Sequence, residues 1–217
     1  MTAVPGLATE TRTFEQLVQR ARTLAVPGQR HILGLTGAPG AGKSTVAEQL
    51  VDELGPELAV LVPMDGFHLA NRVLADLGRR ERKGAHDTFD DDGYANLLER
   101  IHSQTSDAVI YAPEFRRDLE EPIGSSIAVA ADVPLIVTEG NYLLLDHGAW
   151  PRARRCVDEV WFLAPGEDVR HDRLIRRHES YGKSPDEART WALGSDEQNA
   201  LLIAATAHNA DAVIELI

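Results

Sequence analysis

Residues 31–44 read HILGLTGAPGAGKS. An apolar run, His31–Thr36, leads into a glycine-rich turn at residues 37–44, and apolar residues then recur at helical spacing over Lys43–Leu54. The turn matches the pattern G-x-x-x-x-G-K-S/T in full. Glycine residues let such a loop turn tightly around phosphate oxygens, so that its N–H groups face the anion. The stretch therefore predicts a strand, a phosphate-binding loop and a helix in succession.

The loop residues have distinct uses around a nucleoside triphosphate. Lys43 supplies a mobile positive charge for the outer phosphates, and Ser44 offers a hydroxyl ligand to Mg²⁺. The following helix points its positive end at the same anion. We predict that the loop binds ATP through Gly37, Ala38, Pro39, Gly40, Ala41, Gly42, Lys43, Ser44 and Thr45. A chance glycine turn is the alternative, and the flanking strand and helix patterns argue against it.

Outward from the loop, apolar runs alternate with amphipathic stretches. Further extended segments are expected at residues 58–63, 108–111, 127–131 and 134–138, at Glu159–Leu163 and at Ala212–Leu216; helices are expected at residues 11–24, 94–103, 169–181 and 186–193. This order predicts a three-layer α/β/α fold with a mainly parallel central sheet and a helical lid. We expect a single domain over residues 1–217, with an N-terminal helix within residues 1–28 and the lid over about residues 170–195.

Two apolar runs end in a carboxylate followed by glycine: LVPMDGFH at residues 61–68 and LIVTEGNY at residues 135–142. Ligands of open parallel sheets lie at the carboxyl ends of strands. Asp65 could therefore orient an acceptor hydroxyl and accept its proton, while Glu139 could hold Mg²⁺ directly or through water. The two roles could be exchanged, and either acid could instead be a helix N-cap or a loop charge. Both acids suit phosphoryl transfer to a hydroxyl.

Four arginines concentrate positive charge late in the chain, at Arg170, Arg173, Arg176 and Arg177. The last three share one helical face, because their spacing is i, i+3 and i+4. Such a face could close over the β- and γ-phosphates and stabilise the transition state. We expect ATP contacts from Arg173 first and Arg177 second. The alternative is a solvated surface paired with Asp172 and Glu179.

The acceptor side is predicted from the two strand ends and from the polar, non-periodic residues 83–92. The candidates for acceptor binding are Asp65, Phe67, His68, Lys83, Asp87, Phe89, Asp90 and Asn141. Several have a structural alternative: the two later aspartates could cap the next helix, the phenylalanines could be core, and the histidine could be structural. Arg116 and Arg117 could contact an anionic group of the acceptor.

The composition limits the other classes of function. With 22 Lys and Arg against 34 Asp and Glu, the net charge is −12, which argues against nucleic acid as a partner. The single cysteine, Cys156, excludes an internal disulfide and a cysteine-rich metal site, and the histidines lack the paired spacing of a zinc site. No apolar run reaches membrane-spanning length and no signal peptide pattern is visible, so we expect a cytoplasmic protein with no membrane partner.

Beyond the loop, several segments carry a family likeness: MDGFHL at residues 64–69, KGA at 83–85, TFD at 88–90 and TEGNY at 138–142. They resemble the phosphoribulokinase/uridine kinase family, which includes bacterial pantothenate kinase, and most nearly its nucleoside/nucleotide kinase-like or fructose-transport kinase-like branch. The likeness runs from about residue 30 to the end. It implies a P-loop kinase fold, a magnesium–ATP donor, a hydroxyl acceptor contacted by Asp65, and an arginine-bearing lid. A nucleoside, a sugar and a pantothenate-like alcohol remain open as acceptors.

The hypothesis is thus an ATP-dependent small-molecule kinase with Asp65, Lys43, Arg173 and Glu139 as its catalytic groups. One alternative is a P-loop NTPase that couples ATP hydrolysis to a regulatory or partner-binding role. Another is a nucleotide-binding module without catalysis, which the joint presence of the loop and both acids disfavours. No Asn-Lys-x-Asp signature for guanine is found. A homodimer stays open.

Overall fold

The computed structural model describes residues 8–105 and 107–217. In this part of the chain, six strands form one sheet whose neighbouring strands all run parallel, in the order β1-β8-β7-β2-β6-β3. These strands are β1 (Thr9–Arg12), β2 (His31–Thr36), β3 (Ala59–Leu61), β6 (Leu135–Glu139), β7 (Glu159–Leu163) and β8 (Ala212–Leu216). Two further strands, β4 (Ile110–Arg116) and β5 (Glu121–Val129), form a separate antiparallel hairpin.

The helices connect the parallel strands. They are α1 (Phe14–Leu24), α2 (Lys43–Leu54), α3 (Asn71–Asp76), α4 (Asp91–His102), α5 (Trp150–Arg154), α6 (Glu167–Ser180), α7 (Pro185–Leu193) and α8 (Ser195–Ala204). Short 3₁₀ turns occur at Met64–Phe67, Arg80–Arg82, His86–Thr88 and Ala207–Asn209. The outcome is the mainly parallel, helix-covered sheet that the sequence predicts.

Both faces of the sheet are buried, because alternate residues of each central strand enter different cores. In β2, Leu33 and Leu35 join the core under α1 and α2, whereas Ile32 joins the core under α4 and α5. Ile136 of β6 and its neighbour Val137 divide in the same way. The central strands are therefore almost wholly apolar.

The edges of the sheet differ from the sequence prediction. Residues 9–12, partly included in the predicted helix 11–24, form the edge strand β1 instead, and the helix begins after Thr13. Thr13 caps it in a reciprocal capping box with Gln16. The first seven residues of the predicted N-terminal segment 1–28 lie outside the described residues.

Several other elements were not predicted in their observed form, among them the short helices α3 and α5. The extended segments at 108–111 and 127–131 belong to the hairpin β4–β5, which is longer than either segment and lies outside the main sheet. Helix α8 follows α7 directly and was not predicted. No helix among the described residues is both long enough and apolar enough to span a bilayer.

Candidate active site

One large cavity of about 1180 Å³ opens at the carboxyl ends of the central strands. The phosphate-binding loop forms one wall, and residues of α6 and α7 form a second. The third wall combines the turn after β3, the segment at residues 81–85 and the hairpin. The predicted phosphate and acceptor sides therefore face the same space.

The phosphate-binding loop holds its lysine close to the backbone. Lys43 is the first residue of α2, and its ammonium group donates to the carbonyls of Gly37 at 3.0 Å and Ala38 at 3.2 Å. Residues 39–45 line the cavity. Gly40 has a positive φ, and a Cβ there would lie 2.8 Å from the Arg170 carbonyl, so glycine lets the loop pack tightly against α6.

The two predicted acids lie beside this lysine. Glu139 ends β6 and is only 5 % exposed, and Asp65 lies in the 3₁₀ turn after β3. Burial raises the pKa of Glu139 to about 7, with the Asp65 charge acting in the same direction and Lys43 opposing it. Burial lowers the pKa of Lys43 to about 8, against the attraction of both carboxylates. The three groups thus form one electrostatic unit at the centre of the cavity.

Buried hydrogen bonds fix the two strand ends that carry these acids. The Thr138 hydroxyl donates to the Val62 carbonyl at 2.6 Å and accepts from the Tyr94 hydroxyl at 2.7 Å. Tyr94 is fully buried in α4. Because Thr138 precedes Glu139 and Val62 precedes the Asp65 turn, this chain of bonds links the two segments that carry the acids. Neither Tyr94 nor Thr138 was predicted from the sequence to have this role.

The four arginines of α6 separate into different environments. Arg173 lines the cavity, and its Nη1 donates to the Ala41 carbonyl of the loop at 3.3 Å. Arg177 also lines the cavity and acts electrostatically on Lys43. Arg170 is buried in ion pairs with Glu167 and Glu197, the first at 2.6 Å, and it anchors α6 to α8. Exposed Arg176 is outside the cavity lining.

The structure divides the predicted acceptor-binding residues into two groups. Those that line the cavity are Asp65, His68, Lys83, Phe89 and Asn141. The other three make contacts elsewhere: Phe67 packs edge-on against Tyr94, Asp87 pairs with Arg82 and Arg79, and Asp90 caps α4 through the Gly93 N–H at 2.9 Å. For Asp90, the capping alternative is the one that the structure shows.

His68 belongs to an aromatic cluster that lines the cavity. Its ring lies between Phe89 and Phe115, with centroid separations of 4.1 and 4.6 Å. Burial lowers its pKa, and the charges of Lys83 and Arg117 act in the same direction, against Asp65. The imidazole therefore favours its neutral form.

Several lining residues were missed or only weakly indicated by the sequence. Phe115 and Arg117 reach the cavity from the hairpin, Tyr181 reaches it from the end of α6, and Trp191 reaches it from α7. No local motif marks these residues, since their position depends on how the hairpin and α7 dock. The two adjacent arginines at 116–117 were the one signal available in the sequence. Of the two, Arg117 lines the cavity, whereas Arg116 pairs with Asp118 at 2.8 Å.

Comparison with known proteins places this geometry in a family. The model of the Phosphoribulokinase / Uridine kinase family matches residues 32–217. A Schizosaccharomyces pombe protein provisionally named a uridine kinase is 32 % identical over 79 % of this chain and 76 % of its own length. The uncharacterised Escherichia coli protein YggC is 31 % identical over 88 % of this chain and 79 % of its own.

A solved structure agrees with both. A Silicibacter protein provisionally named a fructose transport system kinase superposes with a TM-score of 0.83 at 34 % identity, over 93 % of this chain and 98 % of its own. The resemblance stated from the sequence is thus confirmed along nearly the whole described chain. The chain belongs to the phosphoribulokinase/uridine kinase family of P-loop kinases.

Proposed function

We propose that this protein transfers the γ-phosphoryl group of ATP to a hydroxyl of a small molecule. The relatives carry names that refer to uridine and to fructose transport, and a nucleoside, a sugar and a pantothenate-like alcohol all fit the proposal. The observation that carries it is that Asp65 and Lys43 line the same cavity. A hydroxyl held by that carboxylate would face a phosphoryl group held by that lysine.

Asp65 is the proposed general base. It is partly exposed to the cavity, so it can contact an acceptor hydroxyl and take its proton as the phosphoryl group arrives. Glu139 is more deeply buried than Asp65 and lies nearer the loop. An acceptor hydroxyl would therefore reach it less easily for proton transfer. These environments favour Asp65 as the general base and Glu139 as the acid that would bind the metal ion.

The site also fits Mg²⁺ bound together with ATP. Ser44 and Glu139 supply hydroxyl and carboxylate oxygens, the ligand types that this ion prefers, and burial disfavours the ionised form of Glu139, which a bound cation would stabilise. When bound, the ion supplies charge neutralisation for the outer phosphates. Lys43 and Arg173 would hold the remaining phosphate oxygens.

The lid is proposed to consist of α6 and α7, close to the expected residues 170–195. Arg173 already contacts the loop carbonyl of Ala41, so a small shift would bring its guanidinium onto the phosphates in place of that carbonyl. Arg177 would follow from one turn further along the helix. We propose that the chain works as one kinase domain with this lid.

The test is ATP turnover with Mg²⁺, measured with and without a panel of nucleosides, sugars and pantothenate-like alcohols. A kinase should turn over at least about 100-fold faster with the right acceptor, because transfer to water lacks the positioned hydroxyl. Lys43→Ala should abolish transfer and serves as the inactive control. Equal turnover with and without every acceptor would instead identify an NTPase that couples hydrolysis to another role.

A further inference from the structure

The acceptor end of the cavity carries two cations, Lys83 and Arg117. Lys83 Nζ lies 4.9 Å from the centre of the Phe115 ring, and Arg117 Nη2 lies 3.5 Å from Asp65 Oδ2. Both charges act on His68, and that of Arg117 acts on Glu139 as well. The Lys83–Arg117 pair therefore lies beside the proposed base and the aromatic residues of the cavity, and neither residue has a role in the ATP binding proposed above.

The hydrogen bonds of Lys83 leave its charge available. Its ammonium group donates to the Asn71 side-chain oxygen at 2.9 Å and to the Glu120 carbonyl, and both of these acceptors are uncharged. It also lies 4.9 Å from the centre of the Phe115 ring. The carboxylates of Glu121 and Glu120 attract it, but among the described residues neither forms an ion pair with it within 4.0 Å, and both oxygens of Glu121 accept from the Asn71 N–H at 3.0 Å. The ammonium group is thus oriented without a directly bonded carboxylate.

Arg117 is also incompletely paired. Its Nη2 lies 3.5 Å from Asp65 Oδ2, the upper limit for a hydrogen bond, and this is its one hydrogen bond within the described part of the chain. Two nearby arginines differ: Arg116 makes two bonds to Asp118 at 2.9 and 2.8 Å, and Arg82 makes two to Asp87. The guanidinium of Arg117 therefore keeps most of its donors for a carboxylate or phosphate group.

The histidine between them supplies the opposite kind of group. His68 Nδ1 lies 2.8 Å from the Asp65 carbonyl oxygen, which can only accept, so Nδ1 carries the proton. In the neutral ring, Nε2 is then a hydrogen-bond acceptor. The acceptor end consequently combines two hydrogen-bond acceptors for hydroxyls, Asp65 and His68, with two cationic donors.

We propose that the acceptor is an anionic polyol, an alcohol that carries a carboxylate or a phosphate ester, with its oxyanion bound by Lys83 and Arg117. This inference rests on the proposed kinase function and narrows its acceptor class. A neutral sugar or nucleoside would offer neither cation an anionic partner on the substrate. In a protein with a net charge of −12, local cations are also what an acidic substrate needs to overcome long-range repulsion.

The test compares neutral alcohols with acids of the same skeleton. The sets are glycerol, glycerate and glycerol 3-phosphate; ribose, ribonate and ribose 5-phosphate; and pantothenol with pantothenate. Calorimetry on the full chain, with Mg²⁺ and a non-hydrolysable ATP analogue, measures binding, and ATP-dependent phosphorylation is measured in parallel. We expect at least one acid to bind about 10-fold tighter than its neutral partner. Comparison of the carboxylic acids with the phosphate esters shows which of the two anionic groups the site binds.

Variants assign this preference to the two cations. Lys83→Met and Arg117→Met should each weaken binding of that acid about 10- to 100-fold, the loss expected for one charge-assisted hydrogen bond, while ATP-analogue affinity stays within about 3-fold. Arg116→Met is the matched control and should keep the preference. Lys83→Arg, which retains the charge and guards against a folding defect, should keep it as well.

The inference is overturned if the neutral partners bind as tightly as the acids, if no acid binds, or if Arg116→Met loses as much as Arg117→Met. These outcomes are distinct from failure of the proposed function, in which ATP is hydrolysed but no alcohol of either kind is phosphorylated. Efficient phosphorylation of a neutral alcohol would support the proposed kinase function but contradict the proposal that the acceptor is anionic.

Discussion

The ionisation of three side chains at the centre of the cavity depends on how deeply each one is buried. Lys43 and Glu139 are each almost wholly buried, and each makes the charged form of the other less unfavourable. Asp65 adds a further negative charge but faces the open side, toward Arg117. The result is a pair of carboxylates in different environments, which is the usual means of giving two acids different tasks.

Asp65→Asn tests the division of roles between the two acids. The amide keeps the shape but cannot accept the proton, so kcat should fall about 10²- to 10⁴-fold while ATP affinity changes by less than about 3-fold. Steady-state kinetics and ATP titration measure the two effects. Asp76→Asn, an exposed position at the end of α3, is the control. Normal turnover in the Asp65 variant would show that another group is the base.

His68 gives the site a pH-dependent contribution to stability. Its folded pKa is lowered by burial, so between that value and the unfolded pKa of about 6.5 the unfolded chain binds more protons. Stability contributed by the neutral ring is therefore complete above about pH 6.5 and is lost as the pH falls below it, at up to about 1.4 kcal/mol per pH unit.

We therefore expect the free energy of unfolding of the wild type to approach that of His68→Gln between about pH 7 and pH 5. Denaturant unfolding across this range measures the difference. His102→Gln, at the exposed end of α4, controls for the general loss of a histidine. If the difference in unfolding free energy between the wild type and His102→Gln decreased by the same amount over this range, that result would contradict a specific effect of burial at His68.

At the scale of single residues, local sequence patterns predicted the residues at the centre of the cavity but not those at its outer edge. The loop motif and the two acidic strand ends follow from contiguous sequence, and all three line one cavity. Arg117 could not be separated from Arg116 in the same way, since their difference depends on which side of the hairpin faces the turn after β3. Asp90 illustrates the reverse case, in which an acid near the site is used as a helix cap.

At the scale of elements, the quality of prediction follows apolar periodicity. The bounds of β2, α2, β7 and β8 are those that the sequence predicts. Strand β1 reads TETR and has no buried residue, so its place in the sheet comes from pairing with β8 and not from its own pattern. Strand β5 contains Pro122 and Gly124, which conceal its extended character.

The hairpin docks on the Asp65 turn through a glycine. A Cβ at Gly66 would lie 2.4 Å from the Pro113 carbonyl oxygen of β4, so Gly66→Ala must push the hairpin away. We expect a loss of about 1–3 kcal/mol in unfolding free energy, typical of overpacking, and a lower kcat/KM for the acceptor, because Arg117 and Phe115 move with the hairpin.

Gly124→Ala, in the same hairpin, is the matched control, since an added Cβ there has no neighbour within 4 Å. Denaturant unfolding and acceptor kinetics should both stay near the wild-type values for this variant. If Gly66→Ala were as stable and as active as Gly124→Ala, the docking of the hairpin would not control the acceptor end.

At the scale of the whole molecule, charge is distributed unevenly. The net charge is −12, yet cations line the cavity from four places: the loop, the segment at residues 81–85, the hairpin and α6. This arrangement makes the site a local well for anions within an acidic surface. It also shows how a protein of acidic composition can offer a local site to a polyphosphate ligand.

The same arrangement predicts an ordering of the lid by nucleotide. Arg173 makes one 3.3 Å bond to the Ala41 carbonyl, a neutral acceptor, and a phosphate oxygen at the same place would be a stronger one. Addition of Mg²⁺ and a non-hydrolysable ATP analogue should therefore slow amide hydrogen exchange in α6 and α7 at least about 10-fold, whereas the edge strand β1 should change little.

Variants on one helix decide whether the arginine causes this protection. Arg173→Ala should lose most of the nucleotide-induced slowing in α6 while the loop and α2 remain protected, because the phosphate contacts of Lys43 are intact. Arg176→Ala, exposed on the same helix and outside the cavity lining, has the same effect on helix propensity and should behave as the wild type. If both variants respond alike, closure of the lid does not depend on Arg173, and the contact that drives it must come from Arg177 or from α7.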